Sequence, residues 1–305
     1  MSRFVQYAVN GGPEVLELVD VPEPHAGPGE VRVAVRAAGL NPVDGKIRAG
    51  LLPWGPPLPG GTGNDFAGTV DEVGAGVTEW AVGDDVLGGA RHRALADVVV
   101  IAANAIARKP VELSFEEAGS LDIAGRTAWK SVASLGLTPA DTVLVSAAAG
   151  GVGVIAAQLV RATGATVIGT AGESNHDFLR GLGVIPVLYG EEQVERIRAA
   201  APGGLTAVLD NSGDETVEAA IALGVPAGRI NSIASHSAAQ TYGVGTVGGG
   251  SGGAADIEVL AAVAHAVADG TVRIPIEARF DLEHAAEAYR RLETGHLRGK
   301  IVVVP

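Results

Sequence analysis

Ala148, Gly150 and Gly153 stand between an apolar β-branched run, Thr142 to Ser146, and a segment whose apolar residues Val154, Ile155, Ala157, Leu159 and Val160 repeat with helical period. Strand, small-residue turn and helix in that order suit one task, the holding of a pyrophosphate. A small residue at Ala148 fits the tight turn, Gly150 admits close approach of the backbone to a phosphate, and Gly153 lets the helix pack on its strand. Amides at the helix start then face the anion, with the helix dipole behind them. Ala148, Ala149, Gly150, Gly151, Val152 and Gly153 are therefore the candidate dinucleotide contacts. The plain alternative is a glycine-rich loop that only turns the chain; the strand and helix on either side favour the nucleotide.

Other chemistry is narrowed by composition. The 305 residues include no Cys, so disulfides and thiolate metal sites are excluded. The seven His residues are scattered without ligand spacing, and only His25 and His92 fall in the first part of the chain. A formal net charge of -13 repels phosphate backbones and anionic lipid, so nucleic acid and membrane are poor partners. The N-terminal stretch lacks an apolar signal core and no apolar run is long enough to span a bilayer, so a cytoplasmic protein is expected.

The elements that would carry these residues change character along the chain. Up to about Val111 the segments are short and densely punctuated, with strands expected at Val15–Val19, Val31–Val35, Phe66–Val73, Asp85–Leu87 and Asp97–Ile101. One short helix is expected over Asn41–Arg48, and Leu51–Gly63 is irregular. From Ser114 helices begin, and from Asp141 strands and helices alternate up to a fifth strand at Gly228–Ala234, which implies a doubly wound parallel sheet. Ala238–Gly253 reads either as a flexible loop or as one covering a cofactor. The tail reads as strand (Val272–Ile276), helix (Leu282–Leu292) and strand (Lys300–Val304), folding back on the first part. The expectation is an α/β protein: a β-barrel-like domain from residues 1–115 and 270–305, and a dinucleotide-binding domain over 116–269.

The stretches GGPEVLEL (Gly11–Leu18), AAGLNPVDGKIRAG (Ala37–Gly50), GNDFAGTVDEVGAGV (Gly63–Val77), AGRTAW (Ala124–Trp129), AAAGGVG (Ala147–Gly153), GRINSIAS (Gly228–Ser235) and ETGHLRGKIVV (Glu293–Val303) occur in this order over nearly the whole chain. Together they resemble the medium-chain dehydrogenase/reductase superfamily, and within it the zinc-free quinone oxidoreductases of the zeta-crystallin type. The resemblance implies a GroES-like β-barrel catalytic domain and a Rossmann domain with the active site between them. Zinc-using relatives place Cys where Asn41 stands and a His-Glu pair where Asn64-Asp65 stands, so no catalytic zinc is expected; an ordinary hydrogen-bonded turn is the preferred reading of Asn64-Asp65. Without a Lewis acid, acceptors that already delocalise negative charge are favoured, namely quinones and other α,β-unsaturated carbonyls.

Site residues follow from the same resemblance. Asn41 is expected to orient or polarise beside the nicotinamide and acceptor, and Asp44 on the same helical turn is a second catalytic candidate, with helix capping or an ion pair to Lys46 or Arg48 as its alternative. Leu52, Trp54 and Asn64 are expected to wall the acceptor pocket, a packed core aromatic being the alternative for Trp54. Thr127, Ser212, Ile233, Gly249 and Gly250 join the cofactor contacts. At the end of the second strand of the alternating part, Ala171 takes the position where an NAD enzyme carries Asp or Glu. Its neutrality, with Gly172, Ser174, Asn175, Arg180 and Tyr189 nearby, favours NADPH over NADH, although Glu173 runs against it. Arg298 and Lys300 are candidates to reach the cofactor phosphates, with surface solvation as their alternative. Family habit implies a homodimer through Rossmann-sheet edges near Arg229–Ile233. Two rival functions are an enoyl-thioester reductase, for which the expected Tyr after Asp44 is missing, and a catalytically silent NADPH-binding sensor or structural protein.

Overall fold

The computed structural model describes residues 1–248 and 254–305. In chain order its strands and helices are β1 (Ser2–Tyr7), β2 (Glu17–Val21), β3 (Glu30–Gly39), α1 (Pro42–Arg48), β4 (Gly60–Gly61), β5 (Asp65–Val73), β6 (Asp85–Gly89), β7 (Val98–Ala102), β8 (Ile106–Arg108), α2 (Phe115–Ala118) and α3 (Asp122–Ala133). There follow β9 (Thr142–Val145), α4 (Gly151–Ala162), β10 (Thr166–Ala171), α5 (His176–Gly181), β11 (Ile185–Leu188), α6 (Gln193–Ala200), β12 (Ala207–Asp210), α7 (Asp214–Ala222), β13 (Ile230–Ser232), α8 (His236–Tyr242), α9 (Ala254–Ala268), β14 (Ile276–Asp281), α10 (Ala285–Glu293) and β15 (Lys300–Val304).

β9–β13 form a parallel sheet in the order β11-β10-β9-β12-β13. Successive residues of β9 face opposite sides: Val143 and Val145 pack with Ile155, Val160 and Val263, while Leu144 packs with Ile168, Val208 and Val217. Covering both faces is what a near-continuous apolar strand requires. The chain turns from strand to strand through helices, and the order reverses beside β9, where the crevice for a ligand opens.

The remaining strands build a β unit. β3 pairs with β5, β7 and β15, and β15 pairs with β14, so strands from both ends of the chain share one sheet. Its core holds Val33, Phe66, Val86, Leu95, Ile301 and Tyr289. Ser114 starts α2 with a capping box: its hydroxyl accepts from the Glu117 amide, and the Glu117 carboxylate accepts from the Ser114 amide.

Three expectations are corrected. Val15 belongs to a 3₁₀ turn over Pro13–Val15, and the strand runs Glu17–Val21. The strand expected at Val272–Ile276 begins only at Ile276, after Pro275; a Pro has no amide to give a ladder. Within the loop expected from Ala238, α8 forms because the Ser235 hydroxyl accepts the Ala238 amide at 2.9 Å, and Gly243 ends it at φ 67°. Beside β13, the Ser232 amide donates to the Gly245 carbonyl at 2.8 Å and the Gly245 amide to the Ile230 carbonyl at 2.9 Å, so Gly245 lies along the outer side of this strand. Among the described residues no helix is long and apolar enough to cross a membrane.

Candidate functional site

The turn between β9 and α4 is shaped by its small residues. A Cβ on Gly153 would lie 2.1 Å from the Ala147 carbonyl oxygen, so only glycine lets α4 close on the turn. Gly150 meets nothing nearer than that same oxygen at 3.3 Å, which leaves its outer side open. The first hydrogen bond of the helix runs from the Val154 amide to the Gly150 carbonyl at 2.9 Å, placing the amides of Gly151, Val152 and Gly153 ahead of it as anion donors. Ala148 and Ala149 turn their side chains into the core and offer only backbone. Across the turn, the Gly299 amide donates to the Ala149 carbonyl at 2.8 Å, and the stem of Lys300 passes over Gly151.

Beyond the end of β10 a cavity of 490 Å³ is lined by Ser174, Asn175, Pro275, Ile276, Glu277, His296 and Arg298. Arg298 donates from Nε to Asn175 Oδ1 at 2.9 Å and from its terminal nitrogen to the Ser174 carbonyl at 3.1 Å, with its guanidinium 5.0 Å over the Phe178 ring. Tyr189 stacks on His296, their rings 6.3 Å apart and joined by a 3.0 Å contact between the hydroxyl and Nδ1, and it borders Gly172. The structure thus brings Gly172, Ser174, Asn175, Tyr189 and Arg298 together after Ala171. It adds His296 and Phe178, which the sequence reading did not single out; His296 lies in the stretch around Arg298, while nothing in the sequence marked Phe178. Arg180, expected among the donors, instead faces outward and pairs with Asp177 at 2.6 Å.

The other cofactor candidates fall into two places. Thr127 and Ile233 converge on Gly248, where an added Cβ would meet Ile233 at 2.8 Å and Thr127 at 3.2 Å. Ser212 belongs to the turn after β12, its amide and hydroxyl bonded to Asp210 and its hydroxyl to Thr216. Gly249 and Gly250 lie outside the described residues.

Between the glycine turn and the β unit sits a buried polar cluster. Lys300, 3% exposed, donates from Nζ to Asn41 Oδ1 at 2.6 Å and lies 3.4 Å from Asp65 Oδ2. Lys300 is therefore not solvated at the surface: its stem passes over Gly151 and its ammonium is buried against Asn41 and Asp65. Asp65 is no turn residue: it opens β5, is fully buried, and accepts the Ile123 amide at 3.0 Å. The Asp44 carboxylate accepts from the Asn41 amide at 2.9 Å, capping α1, and from Asn64 Nδ2. It makes no ion pair with Lys46 or Arg48; Arg48 goes to Glu293 at 2.5 Å and over the Tyr289 ring. Burial, and after it the charge of Asp65, push the Asp44 carboxyl up to about 7. Burial, followed by the charge of Asp44, likewise raises the Tyr289 hydroxyl, which bonds Thr62 at 3.1 Å. Burial also raises Asp122, which pairs with Arg126. Among the described residues no group of three or more His, Cys, Asp or Glu could hold a metal ion.

Trp54 is not a core aromatic. It is 56% exposed and lines a second cavity with Phe4 and His92, while Leu52 is half-buried and outside that lining. Asn64 belongs to the buried cluster, so the three residues expected to wall one pocket do not share one.

Residues 27–115 match the alcohol dehydrogenase GroES-like domain family, and residues 182–303 match the zinc-binding dehydrogenase family. The chain is 34% identical over 331 residues to a quinone oxidoreductase of Pseudomonas aeruginosa, covering 100% of both. The structure of the quinone oxidoreductase from Coxiella burnetii superposes with a TM-score of 0.90 at 33% identity, over 100% of this chain and 99% of that one. A mycobacterial protein solved in complex with NADPH gives a TM-score of 0.89 at 28% identity, over 99% of this chain and 100% of that one.

Proposed function

Because the chain belongs to the medium-chain dehydrogenase/reductase superfamily, with quinone oxidoreductases among its relatives, and is an oxidoreductase, we propose that it reduces quinones and other α,β-unsaturated carbonyls with NADPH and without zinc. The observation that carries this reading is the buried Lys300 ammonium bonded to Asn41 beside the glycine turn. When bound, NADPH supplies a hydride from nicotinamide C4. The chain's own residues do the rest.

The amides of Gly151, Val152 and Gly153 hold the pyrophosphate, and Thr127 and Ile233 border the cofactor near Gly248. Arg298, braced by Asn175 and Ser174, gives the 2'-phosphate a charged fork, and the neutral Ala171 does not repel it. Lys300 engages the Asn41 oxygen and polarises its amide; Asn41 Nδ2 also donates to the Gly39 carbonyl at 3.5 Å, which leaves its second N–H as the donor toward the acceptor. That donor meets the negative charge that develops on the acceptor oxygen, and solvent supplies the proton.

The residues do not fit a catalytic zinc. Such a site needs about three protein ligands and an open position. Here an ammonium stands 2.6 Å from the Asn41 oxygen and 3.4 Å from the Asp65 carboxylate. A cation so placed opposes a second one, and no step is routed through a metal. Acceptors whose own conjugation spreads the charge then suit the site best.

The test follows NADPH oxidation in the presence of simple quinones, enones and an enoyl thioester. Turnover is expected with quinones and enones, with a KM for NADPH about tenfold or more below that for NADH. Absence of turnover with every acceptor, while NADPH still binds, would favour a silent binding protein. A preference for NADH would overturn the cofactor assignment alone.

A further inference from the structure

The cavity beside Trp54, 610 Å³ in volume, carries chemistry that the hydride site leaves unused. Phe4 and Pro56 belong to its apolar lining, and Trp54, Arg91, His92 and Arg93 surround it. Arg91 and Arg93 are exposed, and among the described residues neither guanidinium pairs with a carboxylate. In a chain of net charge -13, the two stand two positions apart on one turn at the rim of this cavity.

The local backbone holds this arrangement. His92 sits at φ 62°, and its Nε2 donates to the Trp54 carbonyl at 2.9 Å, so the basic turn and the aromatic loop are tied together. Burial holds the His92 imidazole below its ordinary value, which assigns the positive charge here to the two arginines. Gly61 has no room for a side chain: a Cβ would lie 2.1 Å from the Phe4 ring and 2.4 Å from the His92 carbonyl oxygen. The same turn reaches the reaction cluster. The Ala90 amide donates to the Asn64 carbonyl at 2.7 Å and the Arg93 amide to the Gly63 carbonyl at 3.1 Å, and the Asn64 side chain bonds Asp44.

We propose that this cavity binds the remote end of the acceptor, and that this end is an aromatic ring bearing an acidic group such as a carboxylate, sulfonate or phosphate ester. The ring lies on Trp54 and Phe4, and the acid meets Arg91 and Arg93. Two guanidiniums beside an aromatic and apolar lining give the charge complementarity that points to this ligand. The inference rests on the hydride-transfer reading for the word acceptor, but the binding of the aromatic acid does not.

Two measurements keep the readings apart. The first compares KM for 1,4-naphthoquinone-6-sulfonate, whose acid sits on the ring remote from the quinone carbonyls, with KM for neutral 1,4-naphthoquinone. The sulfonated quinone is expected to be favoured, and R91A/R93A to raise the ratio of the two KM values about tenfold, the size of a lost charged hydrogen bond. An unchanged ratio in the variant overturns the proposal while leaving quinone reduction intact. The second titrates naphthalene-1-sulfonate, which cannot be reduced, against tryptophan fluorescence. Saturable quenching that weakens about tenfold in R91A/R93A and disappears in W54A supports the site even if no quinone turns over. Wild-type protein that shows no saturable quenching overturns it.

Discussion

Asp44→Asn separates the charge of a buried acid from its shape. Asp44 is 3% exposed, and its oxygens are taken by the Asn41 amide and Asn64 Nδ2. Its carboxyl is pushed from 3.8 to about 7, first by burial and then by Asp65. The folded chain therefore holds this proton more tightly than the unfolded chain does. The stabilising contribution is complete below about pH 4, declines as pH rises, and is lost above about pH 7. Each pH unit in that window is worth about 1.4 kcal/mol, so the whole is on the order of 4 kcal/mol. Asparagine has no proton to lose there. Its Oδ1 can accept the Asn41 amide, and a flip of the Asn64 amide presents an oxygen to the new NH₂ group. Urea unfolding from about pH 4 to about pH 8 should show D44N gaining roughly 4 kcal/mol relative to wild type over the range. Burial raises Asp122 too, with the same sign, but it is present in both proteins and cancels in the difference. A difference that stays constant with pH would mean that Asp44 ionises as readily in the folded chain as in the unfolded one, and the reasoning from burial would fail.

Lys300→Met removes the ammonium from Asn41 and leaves Asp65 buried without its cation. It should lower kcat about a hundredfold and cost about 3–5 kcal/mol of stability, while the affinity for NADPH changes far less; K300R restores the charge and should recover part of kcat. Equal changes in kcat and NADPH affinity would assign Lys300 to the cofactor instead. Arg298→Ala should raise KM for NADPH about tenfold more than KM for NADH. Steady-state kinetics with both cofactors measures this, and an equal loss for the two would detach Arg298 from the 2'-phosphate.

Most of the alternating part was legible because each strand and helix there announces itself locally. Thr142–Val145 is apolar and β-branched, Gly153 can be read as a close approach, and the segments after Asp141 have the lengths of a parallel sheet. The β unit was less legible where a strand depends on its partners. β1 and β8 were not foreseen: β1 is short and mixes buried with half-buried residues, and it exists because Phe4 and Val5 pair with Val19 and Leu18. α8 was hidden among glycines, since its stabilising cap is one hydroxyl on one amide. For the site, the glycine turn between β9 and α4 was readable as spacing. The pairing of Lys300 with Asn41 was not, since 259 positions separate them.

That pairing follows from Gly299. At φ 75°, with Pro275 2.1 Å from where a Cβ would stand, Gly299 admits no other residue without strain, and its amide fixes the Ala149 carbonyl. The dipeptide Gly299-Lys300 is thereby docked on the nucleotide turn, and the next side chain has no course but inward. There the charges must balance. Asp44, Asp65 and Asp122 are grouped with Lys300 and Arg126, while Lys130 and Asp256 close a pair beside them. With all ionised, the group holds one anion too many for a buried site. A proton on Asp44 removes it, and Asp44 is the acid among them that no cation directly contacts. A protonated Asp44 leaves Lys300 to answer to Asp65 and Asn41 alone, so below about pH 7 the ammonium is held on the Asn41 amide.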